Sequence, residues 1–255
     1  MRADLTMDGL WWLVPAFFVI ALVYASVGHG GASGYLAALS FFAFRPDEMA
    51  TMALTLNVVV ATLALISFKR AGHFDGRLAW PFLAASVPAA FVGGLVQVPV
   101  RLYQVLLAIA LGVAAVRLAL NLRGREEGRV VRPSLALALP IGGGIGWFSG
   151  VVGVGGGIFL SPLLLLLRWA TPKQTAAVSA AFILINSAAG LGGRAVRSGL
   201  EYGTLWPLLA AALIGGWVGA HLGANHFSGQ TLKRLLAVIL LIAAAKLLIS
   251  QGAHT

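Results

Sequence analysis

Long apolar stretches, separated by short polar or glycine-rich stretches, dominate the pattern of this chain. Ten such segments span residues 10–27, 31–44, 48–68, 78–98, 102–120, 135–152, 157–169, 173–192, 203–223 and 229–250. A helix needs about 20 residues to cross the hydrocarbon of a bilayer, and most of the segments approach that length. The second and seventh segments are shorter, and each follows a glycine cluster. The pattern predicts an all-α integral membrane protein in which these two segments are short or broken.

The chain also repeats itself, because equivalent motifs recur at a spacing of 125 to 127 residues. In order, these are Val-Gly-x-Gly-Gly at 27–31 and 152–156, a proline at 46 and 172, Arg-x-Gly at 70–72 and 197–199, and Trp-Pro at 80–81 and 206–207. Each repeat has five segments. Because five is odd, and three would be odd too if the first two segments formed a re-entrant hairpin, the second copy enters the membrane in the opposite direction. We expect two inverted-topology repeats, residues 1–120 and 135–255, joined by a basic linker at 121–134.

Composition excludes several functional classes. Hydrophobic residues make up 59% of the chain and charged residues 10%, with a mean hydropathy of +0.91, which leaves too little polar surface for a water-soluble globule. The net charge is +10, but the basic residues lie mostly in loops, where binding to lipid headgroups explains them better than binding to nucleic acid. No metal-ligand cluster or nucleophile–base pair is visible, and cysteine is absent. We therefore expect no enzyme activity, cofactor, metal or nucleic-acid partner.

The two glycine clusters are the first candidates for a binding site. They contribute His29, Gly30, Gly31, Gly155, Gly156 and Gly157. Backbone N–H groups at the start of a short helix form an anion site without a charged side chain, and paired broken helices are typical of transporter binding sites. Close helix packing through small residues is the alternative. A dinucleotide-binding motif is excluded, because the last glycine and the acidic residue of that motif are missing.

Polar side chains inside the third and eighth segments extend the candidate site. They are Thr51, Thr55 and Asn57 in the third segment and Ser179 and Asn186 in the eighth. Polar groups in hydrocarbon cost free energy and tend to face a cavity, where hydroxyls and amides can donate hydrogen bonds to an oxyanion. A structural role is the alternative, because Ser and Thr often bond to the backbone of their own helix.

Charged and titratable positions bear on the mechanism. His29 can donate a hydrogen bond to a solute or couple transport to protons, or it can simply cap a turn. Arg70 and Arg197 occupy equivalent loop ends, as solvated anchors or as electrostatic guides at the two mouths of a pathway. No Asp or Glu lies in the middle of a segment, where cation transporters usually keep one. The expected solute is therefore a small anion.

The chain resembles the TauE/SafE family of membrane permeases, the sulfite exporter family. The second repeat carries the closer match, in VGVGGGIFLSP at 152–162, Pro-Lys at 172–173, Ala-Val-Ser at 177–179 where the family commonly has Gly-Thr-Ser, and Arg-x-Gly at 197–199. The first repeat keeps Gly30-Gly31, Pro46 and Lys-Arg-Ala-Gly at 69–72, but its glycine run differs at His29, Ala32 and Ser33.

This resemblance implies a secondary transporter of sulfite, sulfonates or related organosulfur or organic anions. It would work by alternating access around a midplane site, with the lipid bilayer and the anion as partners and with proton or ion coupling. An anion channel with the same pore chemistry is the alternative. We expect a multi-pass protein of the bacterial inner membrane, while the oligomeric state stays open.

Overall fold

The described part of the chain is helical. A computed structural model describes residues 7–39, 42, 44, 46–96, 130–198, 206–235, 237–239 and 241, and it has no β-strand within these residues. Its helices are α1 (Met7–Ser26), α2 (Ala32–Leu39), α3 (Pro46–Arg70), α4 (Gly76–Leu95), α5 (Leu135–Val152), α6 (Gly157–Leu166), α7 (Pro172–Ser198) and α8 (Trp206–His221), followed by a π-helical turn (Leu222–His226). The fifth predicted segment, most of the linker and the end of the tenth segment lie outside the described residues.

Five of these helices are long and apolar enough to cross a membrane. The spans are Glu48–Arg70, Gly76–Leu95, Leu135–Val152, Pro172–Arg197 and Trp206–His226, and they match the third, fourth, sixth, eighth and ninth predicted segments. Helices α2 and α6 have 8 and 10 residues. At 1.5 Å per residue they reach about 12 and 15 Å, at most half of the hydrocarbon thickness. The prediction of an all-helical, multi-pass membrane protein is confirmed, and the full count of ten segments stays a prediction.

Large apolar side chains cover the outside of the described bundle. On α8, Ile214 and Trp217 are exposed, and Trp80 and Trp206 are exposed at the starts of α4 and α8. Such a surface would be costly in water, whereas in a membrane aliphatic side chains face lipid and tryptophans favour the headgroup region. The outer surface therefore agrees with the hydropathy pattern.

Helices α4 and α5 approach so closely that only glycine fits between them. Gly142, Gly146 and Gly150 of α5 face the backbone of Phe82, Ser86 and Ala90 of α4, in that order. Both series ascend together, so the two helices run parallel. Without an apolar driving force between helices in lipid, such close backbone contact supplies much of the attraction.

The same arrangement recurs between α1 and α8. Gly215, Gly219 and Gly223 face the backbone of Phe18, Leu22 and Ser26, again in ascending order. The first helix of each repeat thus packs in parallel against the fourth helix of the other repeat. The two halves of the chain are therefore intertwined.

Helices α3 and α7 cross at the centre of the bundle. Asn57 of α3 bonds Ser187 of α7, while Leu54 lies beside Gly190, so the two helices run antiparallel. Asn57 lies 11 residues after Pro46 and 13 residues before Arg70, which places the crossing near the middle of α3. Both helices are largely buried around this point. The crossing therefore lies deep within the apolar region.

Replacing Gly146 by leucine should separate α4 from α5, because any Cβ at this position collides with the backbone of Ser86. We expect a loss of about 2 kcal/mol or more in the free energy of unfolding, by the usual cost of overpacking. Gly144→Leu is the matched control, since Gly144 is an exposed residue of the same helix with open space around its Cβ position. Thermal unfolding of both variants in detergent tests this, and equal midpoints would contradict it.

Candidate functional site

The two glycine clusters form helix breaks with the same backbone shape. Helix α1 ends at Gly28 with φ +77°, and α5 ends at the equivalent Gly153 with φ +82°. The next left-handed pair is Gly31 and Gly156, with φ of +99° and +76° immediately before α2 and α6. Left-handed backbone strongly favours glycine, which has no Cβ to clash. The sequence repeat is therefore also a repeat of local structure.

Both breaks converge on the side chain of Asn57. A Cβ added to Gly30 or to Gly155 would collide with this carboxamide, which is 1% exposed. Its Oδ1 accepts a hydrogen bond from the Ala32 backbone N–H (3.0 Å), and its Nδ2 donates to Ser187 Oγ (3.3 Å). Asn57 therefore caps the start of α2 and also links the two repeats.

A second buried polar chain joins the repeats through His29. Its Nδ1 lies 3.1 Å from the Val27 carbonyl oxygen, which can only accept, so Nδ1 carries a hydrogen. Its Nε2 lies 3.3 Å from Ser161 Oγ of α6, and Ser161 Oγ lies 2.7 Å from Ser179 Oγ of α7. His29, Ser161 and Ser179 are all at most 2% exposed. The histidine of the first break thus reaches the short helix and the long helix of the second repeat.

The remaining predicted hydroxyls and amide bond mainly within their own helices. Thr55 Oγ1 donates to the Thr51 carbonyl oxygen (2.9 Å), and Asn186 Nδ2 donates to the Phe182 carbonyl oxygen (2.9 Å). Thr51 and Asn186 are buried, and Asn186 Oδ1 has no partner within the described residues. The structure therefore brings Asn57, Ser179, His29 and the glycines together, and sets Thr55 and Asn186 apart as bonded to their own helices.

A small cavity lies between the two breaks. Its polar side is formed by Tyr24, His29, Ser33 and the Gly30 and Gly31 backbone, and its apolar side by Val154, Ile158 and Ile183. Its volume is about 10 Å³, which is close to the minimum for one water molecule. Around it, Gly156 packs against Phe182 and Gly157 against Ile183. The described conformation is therefore closed around the breaks.

The predicted arginines lie in the last turns of α3 and α7, which extend further than the sequence pattern indicated. Arg70 is exposed, and Arg197 is partly buried with Nη1 3.5 Å from the Val96 carbonyl oxygen. Because α3 and α7 run antiparallel, the two residues lie toward opposite ends of the bundle. The loop position expected for both was therefore wrong, since each helix continues through its arginine.

Sequence analysis missed Ser161, Ser187 and Arg194. Arg194 falls beyond the predicted end of the eighth segment, yet it lies inside α7, is 4% exposed, and donates from Nη2 to the Val151 carbonyl oxygen (3.0 Å). Its charge ended the apolar segment in the hydropathy pattern. The two serines carried no signal of their own, because isolated serines are common in membrane helices and only the fold brings these two to Asn57 and His29.

One end of the bundle carries a basic cluster. Lys69 and Arg70 end α3, and Lys173 at the start of α7 donates to the Ala224 carbonyl oxygen in the π-helical turn (3.2 Å). His73 follows α3, and burial together with the nearby Lys173 lowers the pKa of its imidazole. His73 is therefore less readily protonated than an ordinary histidine beside these permanent charges.

Apolar spans, intertwined repeats and a closed polar centre without a nucleophile–base pair among the described residues define a helical membrane transporter. The sequence profile described as "Sulfite exporter TauE/SafE" matches residues 13–247, and the chain belongs to this family. The resemblance stated from the glycine motifs is thereby confirmed.

Two relatives carry transporter names. The chain is 39% identical over 241 residues to the "Probable membrane transporter protein y4hK" of Sinorhizobium fredii (strain NBRC 101917 / NGR234), covering 92% of this chain and 97% of the relative. It is 22% identical over 211 residues to the "Probable membrane transporter protein YunE" of Bacillus subtilis (strain 168), covering 74% of each chain. No solved structure matches. The family and the relatives indicate a membrane transporter, not an enzyme.

Substitution of Asn57 by leucine should destabilise the empty protein. It removes the acceptor for the Ala32 N–H and the link to Ser187, and leaves a buried donor unpaired. We expect a loss of about 2–4 kcal/mol in the free energy of unfolding. Thr62→Val is the control, since the Thr62 hydroxyl bonds only the Val58 carbonyl oxygen of the same helix. The measurement is thermal unfolding in detergent, and similar midpoints for the two variants would argue against a central role for Asn57.

Proposed function

We propose that the protein is a secondary transporter of small oxyanions, namely sulfite, sulfonates or related organic anions, in the bacterial inner membrane. The observation that carries the proposal is the convergence of both helix breaks on Asn57, near the middle of α3. Helix starts present backbone N–H groups without intrahelical partners and a partial positive charge. The residue before α6, Gly156, has no side chain to cap them. Together these groups suit a negatively charged solute held deep in the bundle.

The charge of the surroundings favours the same solute class. Within the described residues no Asp or Glu side chain is buried, whereas Arg194 is. The side chains at the crossing are neutral donors and acceptors: Asn57, Ser161, Ser179 and Ser187. A buried anion would therefore meet hydrogen-bond donors and no like charge, which is the condition for holding it without its hydration shell. His29 is the titratable group through which protons could couple to the transport cycle.

The proposed mechanism is alternating access by two inverted repeats. Exchange of the repeats by a two-fold axis in the membrane plane accounts for the antiparallel crossing of α3 and α7 and for the two equivalent parallel pairs. It also accounts for a reciprocal contact, because Gly28 packs against Ala176 while the equivalent Gly153 packs against Ala50. Rocking of the halves would open the centre to one side and then the other. The Asn57–Ser187 and His29–Ser161 hydrogen bonds are the links that would have to break.

Carrier and channel make different predictions for counterflow. In proteoliposomes loaded with unlabelled sulfite, a carrier should draw labelled sulfite inward against its gradient, because an occluded solute exchanges across the membrane. The closed cavity of about 10 Å³ favours this behaviour over an open pore. Uptake that dissipates gradients but never accumulates label would establish the channel instead. Sulfonates, sulfate and short carboxylates, tested as unlabelled competitors, would define the solute class.

Gly156→Ala should reduce transport at least tenfold while the protein still inserts into the membrane. The added Cβ meets Phe182 and Ile145 and sits on left-handed backbone, so it would move the start of α6. Gly72→Ala is a matched control, because Gly72 has nearly the same φ (+79°) but open space around the Cβ position. Initial rates of sulfite uptake at equal protein density check this. Equal loss in both variants would mean that backbone strain alone, and not the break before α6, limits transport.

A further inference from the structure

Tyr35 carries a buried hydroxyl that the described structure leaves unused. The residue lies on α2, is fully buried, and stacks on Phe17 with ring centroids 4.8 Å apart. Its Oη has no hydrogen-bond partner among the described residues. A buried tyrosine usually finds such a partner, because an unpaired hydroxyl costs about 1–3 kcal/mol in lost hydration. An uncompensated cost of this kind needs an explanation.

This hydroxyl lies at the start of α2, beside the first helix break. Long helical side chains point back toward the helix N-terminus, and a Cβ built on Gly31 would lie 2.9 Å from Tyr35 Oη. Gly31 has φ +99° and immediately precedes α2. The unpaired donor is therefore next to the backbone N–H groups that open this helix.

Neighbouring hydroxyls differ from Tyr35 in being already bonded. Tyr24 Oη lies 2.8 Å from Ser33 Oγ. In the second repeat, Ser161 occupies the position 126 residues after Tyr35, and its hydroxyl contacts both Ser179 and His29. The first repeat thus keeps a free donor where the second repeat has a saturated one. The two breaks are equivalent in backbone but not in bonding capacity.

Asn57 occupies the place where a solute oxygen would bind. Its Oδ1 accepts the Ala32 N–H at the same helix start, which is the bond that an oxygen of an anion would form. As a neutral amide it holds this bond more weakly than an anion would, because hydrogen bonds to charged groups are about twice as strong. The closed state therefore has a built-in acceptor that an oxyanion can replace.

We propose that Tyr35 is a solute ligand, and that the oxyanion binds at the start of α2. One solute oxygen takes the Ala32 N–H from Asn57, and another accepts a hydrogen bond from Tyr35 Oη. The solute class is a compact oxyanion with at least two oxygens on one centre, such as sulfite or a sulfonate group. This inference rests on the proposed function and refines it, because it places the solute on the first repeat instead of midway between the two breaks.

The test is Tyr35→Phe in the full-length protein, which removes only the hydroxyl. Binding is measured by sulfite-dependent thermal stabilisation in detergent, and transport by the KM for sulfite in proteoliposomes. We expect the Kd and KM for sulfite to rise about tenfold or more, from the loss of a hydrogen bond to a charged group. The unfolding midpoint without sulfite should stay the same or rise, because an unpaired buried donor has been removed. A purely structural hydroxyl would not produce this opposite pair of effects.

Ser86→Ala is the control, because Ser86 is a buried hydroxyl on α4 that bonds Leu83 of its own helix. Its Kd for sulfite should stay within about twofold of the unaltered protein, since it loses no donor to an anion. An unchanged Kd in Tyr35→Phe, or a clear fall in its midpoint without sulfite, would overturn the assignment while leaving the transporter proposal intact. If the unaltered protein neither binds nor transports any anion of the panel, the proposed function fails and this inference fails with it.

Discussion

The hydrogen bond from the Ala32 N–H to Asn57 Oδ1 satisfies the central constraint on this fold. In hydrocarbon a backbone polar group must find its partner within the protein, so a broken helix is tolerated only where something else supplies the bond. Asn57 supplies one and, through Ser187, fixes the position of the second repeat. The helix break, the crossing of α3 and α7, and the polar centre are thus parts of one solution.

Around this centre, stability comes from backbone contact. The glycine series on α5 and α8 bring two helix pairs together without side chains between them. Contacts this close do not adjust continuously, because moving either helix loses many weak interactions together. Rigid pairs of this kind suit a transporter that alternates between discrete states. The polar links between the repeats are fewer, which makes them the more suitable part of the interface to open and close.

Much of the fold could be predicted from the sequence because it depends on periodic signals. Apolar length located the five long spans, and the paired glycine clusters located both short helices. The ends of α3 and α7 were less predictable, because Arg70 and Arg194 interrupt the apolar pattern although the helices continue through them. At the site, Asn57 and His29 stood out as polar groups in apolar or glycine-rich surroundings. Ser161, Ser187 and Tyr35 did not, because their roles depend on partners more than a helix turn away in sequence.

The exchange of helices between repeats also has a consequence for biogenesis. When the ribosome has delivered the first half, α1 and α4 are in the bilayer without their glycine-faced partners, which are encoded more than 40 residues further along. Insertion must therefore precede packing, and the early half waits in lipid in a loosely associated form. A truncated chain would never leave that state, so membrane proteases would meet it as an unassembled substrate. Coexpressed half-chains could complete the fold only by finding each other in the same membrane.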